Sequence, residues 1–274
     1  MPFMKHYRKI DMHCFPRGYD RTGDNHLKKM DANNVQRAVL HGMAEYVIEV
    51  CDKVKVADHN AWVLAAVKKH PGRFMGSVMV DLRKPVKSCI ALAKKYHEEG
   101  FVGVKLYTQL GVDPGLEKYE PFWDALEKMN MIVFPDCGCL LVSRVDPSRR
   151  IETRFAEPFS FEVPVRRHPR LRFELVHFGG GITYLQTVRM MNAFENVYSD
   201  TSPGDGRWAL MNDMPGMRNM KKHKVMFASN SCVYPYEADE EFYVEKLKSV
   251  CGYDKKEIED FFFNNAFRFL GLRS

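Results

Sequence analysis

The sequence has no long apolar run and no paired cysteines, and each absence excludes a class of protein. Nowhere do about 18 apolar residues follow one another, the length that a membrane-spanning helix requires. The seven cysteines are an odd number without a CxxC pair, and Cys137 and Cys139 are too close for an ordinary disulfide or a finger-type zinc site. The first residues contain no apolar segment of signal-peptide length. We therefore expect reduced thiols, a cytoplasmic protein and no membrane partner.

The chain also lacks a strong excess of charge of either sign. It has 41 basic and 35 acidic residues, a net charge of +6 spread along 274 residues. The densest basic cluster, residues 221–224, is typical of a solvated loop, so we expect no nucleic-acid partner. A mild basic balance is compatible with an anionic small substrate. The 45% hydrophobic and 28% charged residues are those of an ordinary globular protein.

Short apolar segments alternate with helical ones along about 250 residues, as in a (β/α)8 barrel. The absence of a GxGxxG motif after the first segment argues against a dinucleotide-binding open sheet, which is the alternative fold. We therefore predict an α/β fold, a TIM barrel formed as one domain by residues 1–274. The predicted strands lie near residues 10–16, 35–42, 74–80, 102–107, 131–134, 173–177, 196–200 and 225–230.

Polar side chains occur where these predicted strands end. Active sites of such barrels lie at the carboxyl ends of the strands. Imidazole and carboxylate groups that converge there suit zinc, manganese or iron. We expect alternation along the first strand to place its aspartate and histidine on one face. The strand-end residues that we single out are Asp11, His13, Lys105, Asp136, His177 and Asn230.

Several strand-end residues also have an ordinary structural interpretation. His177 precedes three glycines that leave backbone donors free, but a histidine there can equally bond a nearby carbonyl. Lys105 can be a core-edge lysine paired with a carboxylate. His41 is more typical of a structural histidine, and Asp200 of a cap on the following turn. The residue types alone leave these alternatives open.

Six motifs in order resemble the aminocarboxymuconate-semialdehyde decarboxylase-like branch of the amidohydrolase superfamily. The resemblance implies a distorted (β/α)8 barrel that holds one divalent metal ion. It also implies decarboxylation of unsaturated or aromatic acids, or hydrolysis of lactones and related substrates, often by a homodimer. The motifs that carry it are Ile10–Pro16, Gly100–Leu106, His177–Gly180, Asn196–Ser202, Phe227–Ser231 and Asn265–Leu272.

The ligands implied by the resemblance are an HxH pair, a later histidine and a late aspartate that also moves protons. His13 matches the first histidine and His177 the later one. Phe15 stands where the second histidine is expected, and Asn230 where the aspartate is expected. Some aromatic-acid decarboxylases of the branch carry a carboxylate-x-histidine pair instead, which here would be Asp11 and His13.

A neutral amide is a weaker ligand than a carboxylate and does not shuttle protons near neutral pH. Asp136 offers the missing charge as a ligand, a general acid or base, or only a turn residue. We predict the metal ligands to be Asp11, His13, His177 and Asn230. Zinc is the expected ion, with manganese or iron as alternatives, and the site lacks a metal if Phe15 and Asn230 abolish binding.

Three functional hypotheses follow. The first is a metal-dependent decarboxylase or hydrolase of a small unsaturated or aromatic carboxylic acid, with His177, Asp136, Lys105 and Asn230 as catalytic residues. The second is a metal-free acid/base enzyme that hydrates, isomerises, cyclises or decarboxylates its substrate. The third is a non-catalytic barrel used for binding. The first also assigns substrate charge compensation to four loop arginines, Arg144, Arg149, Arg150 and Arg154.

Overall fold

Eight parallel strands form the centre of the molecule, in a sheet whose strand order follows the chain. The computed structural model describes residues 7–17, 20–44, 59–138, 151–180, 183–202, 216–230 and 240–273. The strands are β1 Lys9–Cys14, β2 Val35–His41, β3 Phe74–Val80, β4 Gly103–Leu106, β5 Ile132–Pro135, β6 Arg172–Leu175, β7 Val197–Asp200 and β8 Val225–Met226.

The first and last strands meet and nearly close the sheet into a barrel. The amide of Met12 donates to the Phe227 carbonyl at 3.1 Å, and the amide of Asn230 donates to the His13 carbonyl at 2.8 Å. These bonds join β1 to β8 and to the residues just after it. The predicted (β/α)8 TIM barrel is therefore confirmed, with all eight strands near the predicted positions.

Helices surround the barrel and bury one face of each against it. In the helix Glu120–Lys128, for example, Phe122, Trp123 and Leu126 are buried at helical spacing. Among the described residues, every helix is too short or too polar to cross a bilayer. The helices are α1 Asp24–Ala32, α2 His59–Lys69, α3 Val86–Glu98, α4 Glu120–Lys128, α5 Glu162–Arg167, α6 Tyr184–Ala193, α7 Glu240–Ser249, α8 Lys255–Glu259 and α9 Asn265–Phe269.

The apolar side chains of the strands form two clusters, one on each face of the sheet. On β5, Val133 belongs to the cluster between sheet and helices, whereas Ile132 and Phe134 belong to the cluster inside the barrel. This alternation is the period-two pattern of a strand. Helix α9 contributes Phe269 to the interior cluster, and its carbonyl accepts from Arg172, the first residue of β6. The amino end of the barrel is thus filled by apolar groups, and the carboxyl end is left for polar ones.

Strand β1 departs from simple alternation near its end. Ile10 and Met12 pack in the interior cluster, but the pairing with β2 shifts register between Asp11 and Cys14. Asp11, between Ile10 and Met12, lies on the helix side of the sheet near Cys14 and His26 of α1, and the shift affects the residues that follow it. The expectation that Asp11 and His13 share a face assumed unbroken alternation, and the register shift is the reason that it is wrong.

Candidate active site

The ammonium group of Lys105 lies at the centre of a buried polar cluster at the carboxyl end of the barrel. Its Nζ is 2.9 Å from Nε2 of His13 and 2.8 Å from Oδ2 of Asp136. Gln109 donates to the other Asp136 oxygen at 3.2 Å. The lysine side chain is fully buried, so it needs these partners to remain charged inside the protein. The alternative in which Lys105 pairs with a carboxylate is therefore observed.

His177 completes this cluster from a left-handed turn that follows β6. Its Nε2 is 3.8 Å from Oδ2 of Asp136, and its Nδ1 is 2.7 Å from Oγ of Ser202. His177 and Phe178 have φ values of 63° and 51°, although neither is glycine. Backbone strain of this kind persists only where surrounding contacts enforce it, and it is concentrated at functional sites. The His177 side chain is 16% exposed, so it is accessible from outside the barrel.

A close glycine contact brings His177 and Asp136 together. Gly180 has a φ of 72°, and a Cβ built on it would lie 2.3 Å from Cα of Gly138. Both glycines are therefore required for the segments after β5 and β6 to approach so closely. Gly180, one of the glycines that follow His177, thus allows this close approach.

The buried histidines of the cluster are neutral. Burial first, then the Lys105 charge, holds the pKa of His13 well below its usual value, and the same causes act on His41. Because Nε2 of neutral His13 accepts from Lys105, its proton lies on Nδ1, a buried atom without a partner among the described residues. Both ring nitrogens of His41 have hydrogen-bond partners: Nε2 donates to the Met12 carbonyl, and Nδ1 accepts from Ser77 Oγ, each at 2.9 Å. His41 is thus a structural histidine.

Asp136 is an anion near neutral pH. Burial alone would raise the pKa of its carboxyl group, but the charge of Lys105, followed by that of His177, lowers it below its usual value overall. A carboxyl group that is already ionised holds charge and accepts protons, but it does not deliver one. The geometry therefore favours Asp136 as a charge partner or ligand over a general acid.

The donor set formed by His13, Asp136 and His177 fits a divalent metal ion. One ligand atom from each residue lies within 4.8 Å of the other two. Two imidazoles and a carboxylate suit manganese, iron or zinc. Lys105 contacts two of these three residues, so a metal ion bound there would have to displace or tolerate its ammonium group.

The remaining predicted ligands lie around this set. The Asn230 backbone bonds to His13, and Asn230 has a φ of 51°, so it is adjacent to the cluster. The Phe15 ring packs edge-on against His13 at 4.8 Å, where the resemblance expects a second histidine. The Asp11 carboxylate accepts from the His13 amide at 3.2 Å and from the Ser229 amide at 2.9 Å. Asp11 is thus placed beside His13 but outside the metal-ligating set.

Asp11 belongs to a second group, with Cys14 and His26, whose ligand atoms also lie within 4.8 Å of one another. Both carboxylate oxygens of Asp11 already accept hydrogen bonds. The His13 and Ser229 amides donate to Oδ1, and Ser229 Oγ donates to Oδ2. Cys14 donates its thiol proton to the Val39 carbonyl. These bonds indicate that the group contributes to the packing of β1 against α1.

Other polar residues were missed or lie elsewhere. Asp200 accepts from the Ser202 amide at 2.7 Å, so it caps the turn as one interpretation predicted. Glu174, fully buried inside the barrel, was not recognised because an acidic residue in an apolar strand gives no periodic signal. Arg154 pairs with Glu152 on the surface. Arg144, Arg149 and Arg150 lie outside the described residues.

The protein-family model described as Amidohydrolase matches residues 10–272. A curated relative, gamma-resorcylate decarboxylase of Rhizobium sp. (strain MTP-10005), is 27% identical over 186 residues, covering 59% of this chain and 57% of the relative. The same enzyme of Rhizobium radiobacter is 26% identical over the same shares. The chain thus spans little more than half the length of these curated relatives.

Two solved structures share the fold along nearly the whole chain. The 2,6-dihydroxybenzoate decarboxylase from Rhizobium has a TM-score of 0.65 and 17% identity, covering 97% of this chain and 99% of its own. A variant of 5-carboxyvanillate decarboxylase from Novosphingobium aromaticivorans has a TM-score of 0.64 and 17% identity, covering 98% of each chain. That structure contains bound manganese and 3-methoxy-4-hydroxy-5-nitrobenzoic acid.

Proposed function

The chain belongs to the amidohydrolase family, and from that membership we propose that it is a metal-dependent decarboxylase of a small aromatic carboxylic acid. The observation that carries this proposal is the group of His13, Asp136 and His177 at the carboxyl end of the barrel. Decarboxylation is favoured over hydrolysis because the curated relatives are decarboxylases.

His13, Asp136 and His177 are the proposed ligands, and Asn230 is close enough to His13 to extend the set. A divalent ion, when bound, supplies positive charge that orients a carboxylate and an adjacent oxygen of the substrate. We propose manganese or zinc, since both accept imidazole and carboxylate ligands. Asp11 serves a positioning role instead, because its carboxylate holds the His13 and Ser229 amides.

Loss of carbon dioxide from an aromatic acid requires a proton at the ring carbon that carried the carboxyl group. A histidine that ligates a metal ion through one nitrogen does not also act as an imidazolium acid, so in the metal-dependent enzyme we propose that the Lys105 ammonium group, 2.8 Å from Asp136, supplies this proton. In a metal-free site His177 can be the donor, because its side chain is partly exposed and its Nδ1 is positioned by Ser202. Asp136 lies 3.8 Å from the other nitrogen of His177 and helps to orient the ring. The Lys105 ammonium group balances the Asp136 charge and adds positive potential for an anionic substrate.

One observation favours a second candidate, a metal-free decarboxylase that uses the same residues. The Lys105 ammonium already contacts His13 and Asp136, so the cluster contains a built-in cation. In this alternative Lys105 binds the substrate carboxylate, and His177, which then holds no metal ion, supplies the proton. The two candidates differ in whether chelation stops turnover.

Carbon dioxide release from 2,6-dihydroxybenzoate and related hydroxybenzoates tests both candidates. The purified protein is assayed as isolated, after chelation, and after addition of manganese or zinc. We expect release that disappears on chelation, returns with metal and is abolished in His177→Ala. Turnover that chelation leaves unchanged supports the metal-free candidate. No release from any acid, with stoichiometric metal bound, contradicts the proposed function.

We further propose that the protein is cytoplasmic and forms a homodimer. The described cysteines, Cys14, Cys89, Cys137 and Cys251, are free and buried, which is compatible with a reducing compartment. Sedimentation of the purified protein tests the oligomeric state. Fractionation of the source cells tests the compartment.

A further inference from the structure

Two acidic side chains, Glu174 and Asp200, lie next to each other inside the barrel, beneath the candidate active site. They project from neighbouring strands: Glu174 of β6 pairs in register with Tyr198 of β7, two residues before Asp200. Both residues are completely buried. Paired residues of neighbouring strands, and residues two apart on one strand, point to the same face, so the Glu174 and Asp200 side chains share one face of the sheet. The sequence interpretation assigned no role to Glu174.

The hydrogen bonds of this pair are incomplete if both groups are ionised. Oδ1 of Asp200 accepts from the Ser202 amide at 2.7 Å and from the His177 amide at 3.4 Å. Oδ2 of Asp200 and both oxygens of Glu174 are buried and receive no hydrogen bond from any described residue. Two adjacent carboxylates without donors repel each other in a medium of low polarity, whereas one shared proton turns the contact into a strong hydrogen bond.

The surroundings decide which residue carries the proton. Asp200 accepts hydrogen bonds from two amides, whereas no described residue donates to Glu174. Burial, followed by the Asp200 charge, raises the pKa of Glu174 well above its usual value, and Lys105 opposes this only in part. The charged groups that act on Glu174 are Asp200, Lys105 and Asp11.

The pair acts on the active site through the turn that carries His177. Asp200 holds the His177 amide directly, and through the Ser202 amide it fixes the hydroxyl that lies 2.7 Å from His177 Nδ1. Among the described residues, no group other than Glu174 is placed to donate to Oδ2 of Asp200. Without this donor, the left-handed turn at His177 would lose its anchor.

We propose that Glu174 is a permanently protonated positioning residue, which donates a hydrogen bond to Asp200 and so fixes the His177 turn. This role rests on the proposed function only where activity is the readout. A protonated carboxyl group has an infrared carbonyl band that shifts in heavy water, and this band is independent of turnover.

The test compares infrared spectra of the folded protein at pH 8 with those of three variants. Glu174→Gln removes the acid but keeps an amide donor for Asp200, Asp200→Asn replaces the charged acceptor with a neutral amide, and Glu98→Gln is the matched control on the exposed face of α3. We expect the band in the wild type, Glu98→Gln and Asp200→Asn, and its loss in Glu174→Gln. Absence of the band from the wild type overturns the proposal, as does a band that Glu174→Gln keeps and Asp200→Asn loses.

Activity gives a second readout. Glu174→Gln should keep kcat near the wild-type value, because an amide can replace the acid as donor. Glu174→Leu, which has no donor, should lower kcat by about 10- to 100-fold with little change in KM. Equal kcat values for wild type and Glu174→Leu contradict the positioning role. If no aromatic acid is decarboxylated but the infrared pattern is as expected, the proposed function fails and the protonated Glu174 stands.

Discussion

Lys105 of β4 donates a hydrogen bond across the barrel to His13 of β1, with Nζ 2.9 Å from Nε2. This contact fixes which nitrogen of His13 carries the proton and occupies a lone pair that a metal ion requires. The same ammonium group neutralises Asp136 at 2.8 Å. We therefore expect the lysine to influence both the charge of the site and its affinity for the proposed metal ion.

Removing the Lys105 charge should strengthen metal binding. In Lys105→Met the competing cation is absent, and repulsion between an ammonium group and a divalent ion a few ångströms apart disappears. We expect manganese to bind at least about tenfold more tightly, measured by titration calorimetry. Lys94→Met is the control, because Lys94 lies on the surface of α3 with 67% of its side chain exposed. An unchanged affinity in Lys105→Met would mean that the ammonium group does not compete.

Neutralising Asp136 should destabilise the protein as well as inactivate it. Asp136→Asn leaves the buried Lys105 ammonium without its anionic partner, at a cost of about 3 kcal/mol in the free energy of unfolding. Asp31→Asn breaks an exposed ion pair with Arg73 and should cost less than about 1 kcal/mol. Urea unfolding measures both differences. Equal losses in the two variants would show that the buried pair contributes no more than a surface pair.

Gly180→Ala should be far more damaging than Gly252→Ala. Both glycines have positive φ values, 72° and 67°, so alanine costs about 1 kcal/mol at each from backbone strain alone. Only at Gly180 does the new Cβ meet backbone, 2.3 Å from Cα of Gly138, whereas nothing lies within 4 Å at Gly252. The excess loss at Gly180, measured by thermal unfolding, reports the close approach of the segments after β5 and β6. A similar loss in both variants would contradict that contact.

Stability should fall as the pH decreases from about 6.5 to 4. Burial lowers the pKa of His26 to about 4 in the folded protein. Between about pH 6.5 and pH 4 the His26 side chain is therefore protonated in the unfolded chain but not in the folded chain, and this difference favours unfolding. The stabilisation is complete above pH 6.5 and is reduced by about 2 kcal/mol at pH 5 for this one residue. Burial has the same effect on His59, whose pKa is also about 4.

Asp11 acts in the opposite direction over part of this range. Burial raises its pKa to about 6, so ionisation destabilises the fold as the pH rises from about 4 to 6. Urea unfolding at pH 7.5 and pH 5 should therefore be compared between wild type and His26→Gln, which share Asp11 and His59. We expect the loss of stability to be smaller in His26→Gln by about 2 kcal/mol. Equal losses in both proteins would show that His26 is protonated in the folded state.

The barrel could be predicted from the sequence because its strands are buried on both faces and end at glycine, proline or polar residues. β5 is an example: Met131 to Phe134 form an apolar run, and Pro135 and Asp136 end it. His13 and His177 were recognised by position, since each lies where a strand reaches the rim. The family resemblance added the expected ligand types, including the departures at Phe15 and Asn230.

The pairing of polar groups could not be predicted in the same way. Lys105 contacts a residue 92 positions away in the chain, and a strand pattern does not reveal which rim residues meet across a barrel. Asp11 alternates with the interior residues Ile10 and Met12 and so lies on the helix side, whereas the register shift after Asp11 places His13 with the polar cluster of the barrel. No sequence pattern marked Glu174 as a functional residue, because it stands alone between apolar residues in the middle of a strand.

The sequence by itself determined the closed parallel barrel and the rim positions of His13, Asp136 and His177, because alternation and strand ends are local properties of the chain. Tertiary structure alone decided that Lys105 contacts both His13 and Asp136 and that Asp11 lies on the helix side of the sheet. It also decided that Glu174 and Asp200 are neighbours inside the barrel. Those relationships depend on distances between strands that are remote in sequence. In a buried site of low polarity, such distances set which groups are charged and which protons are shared.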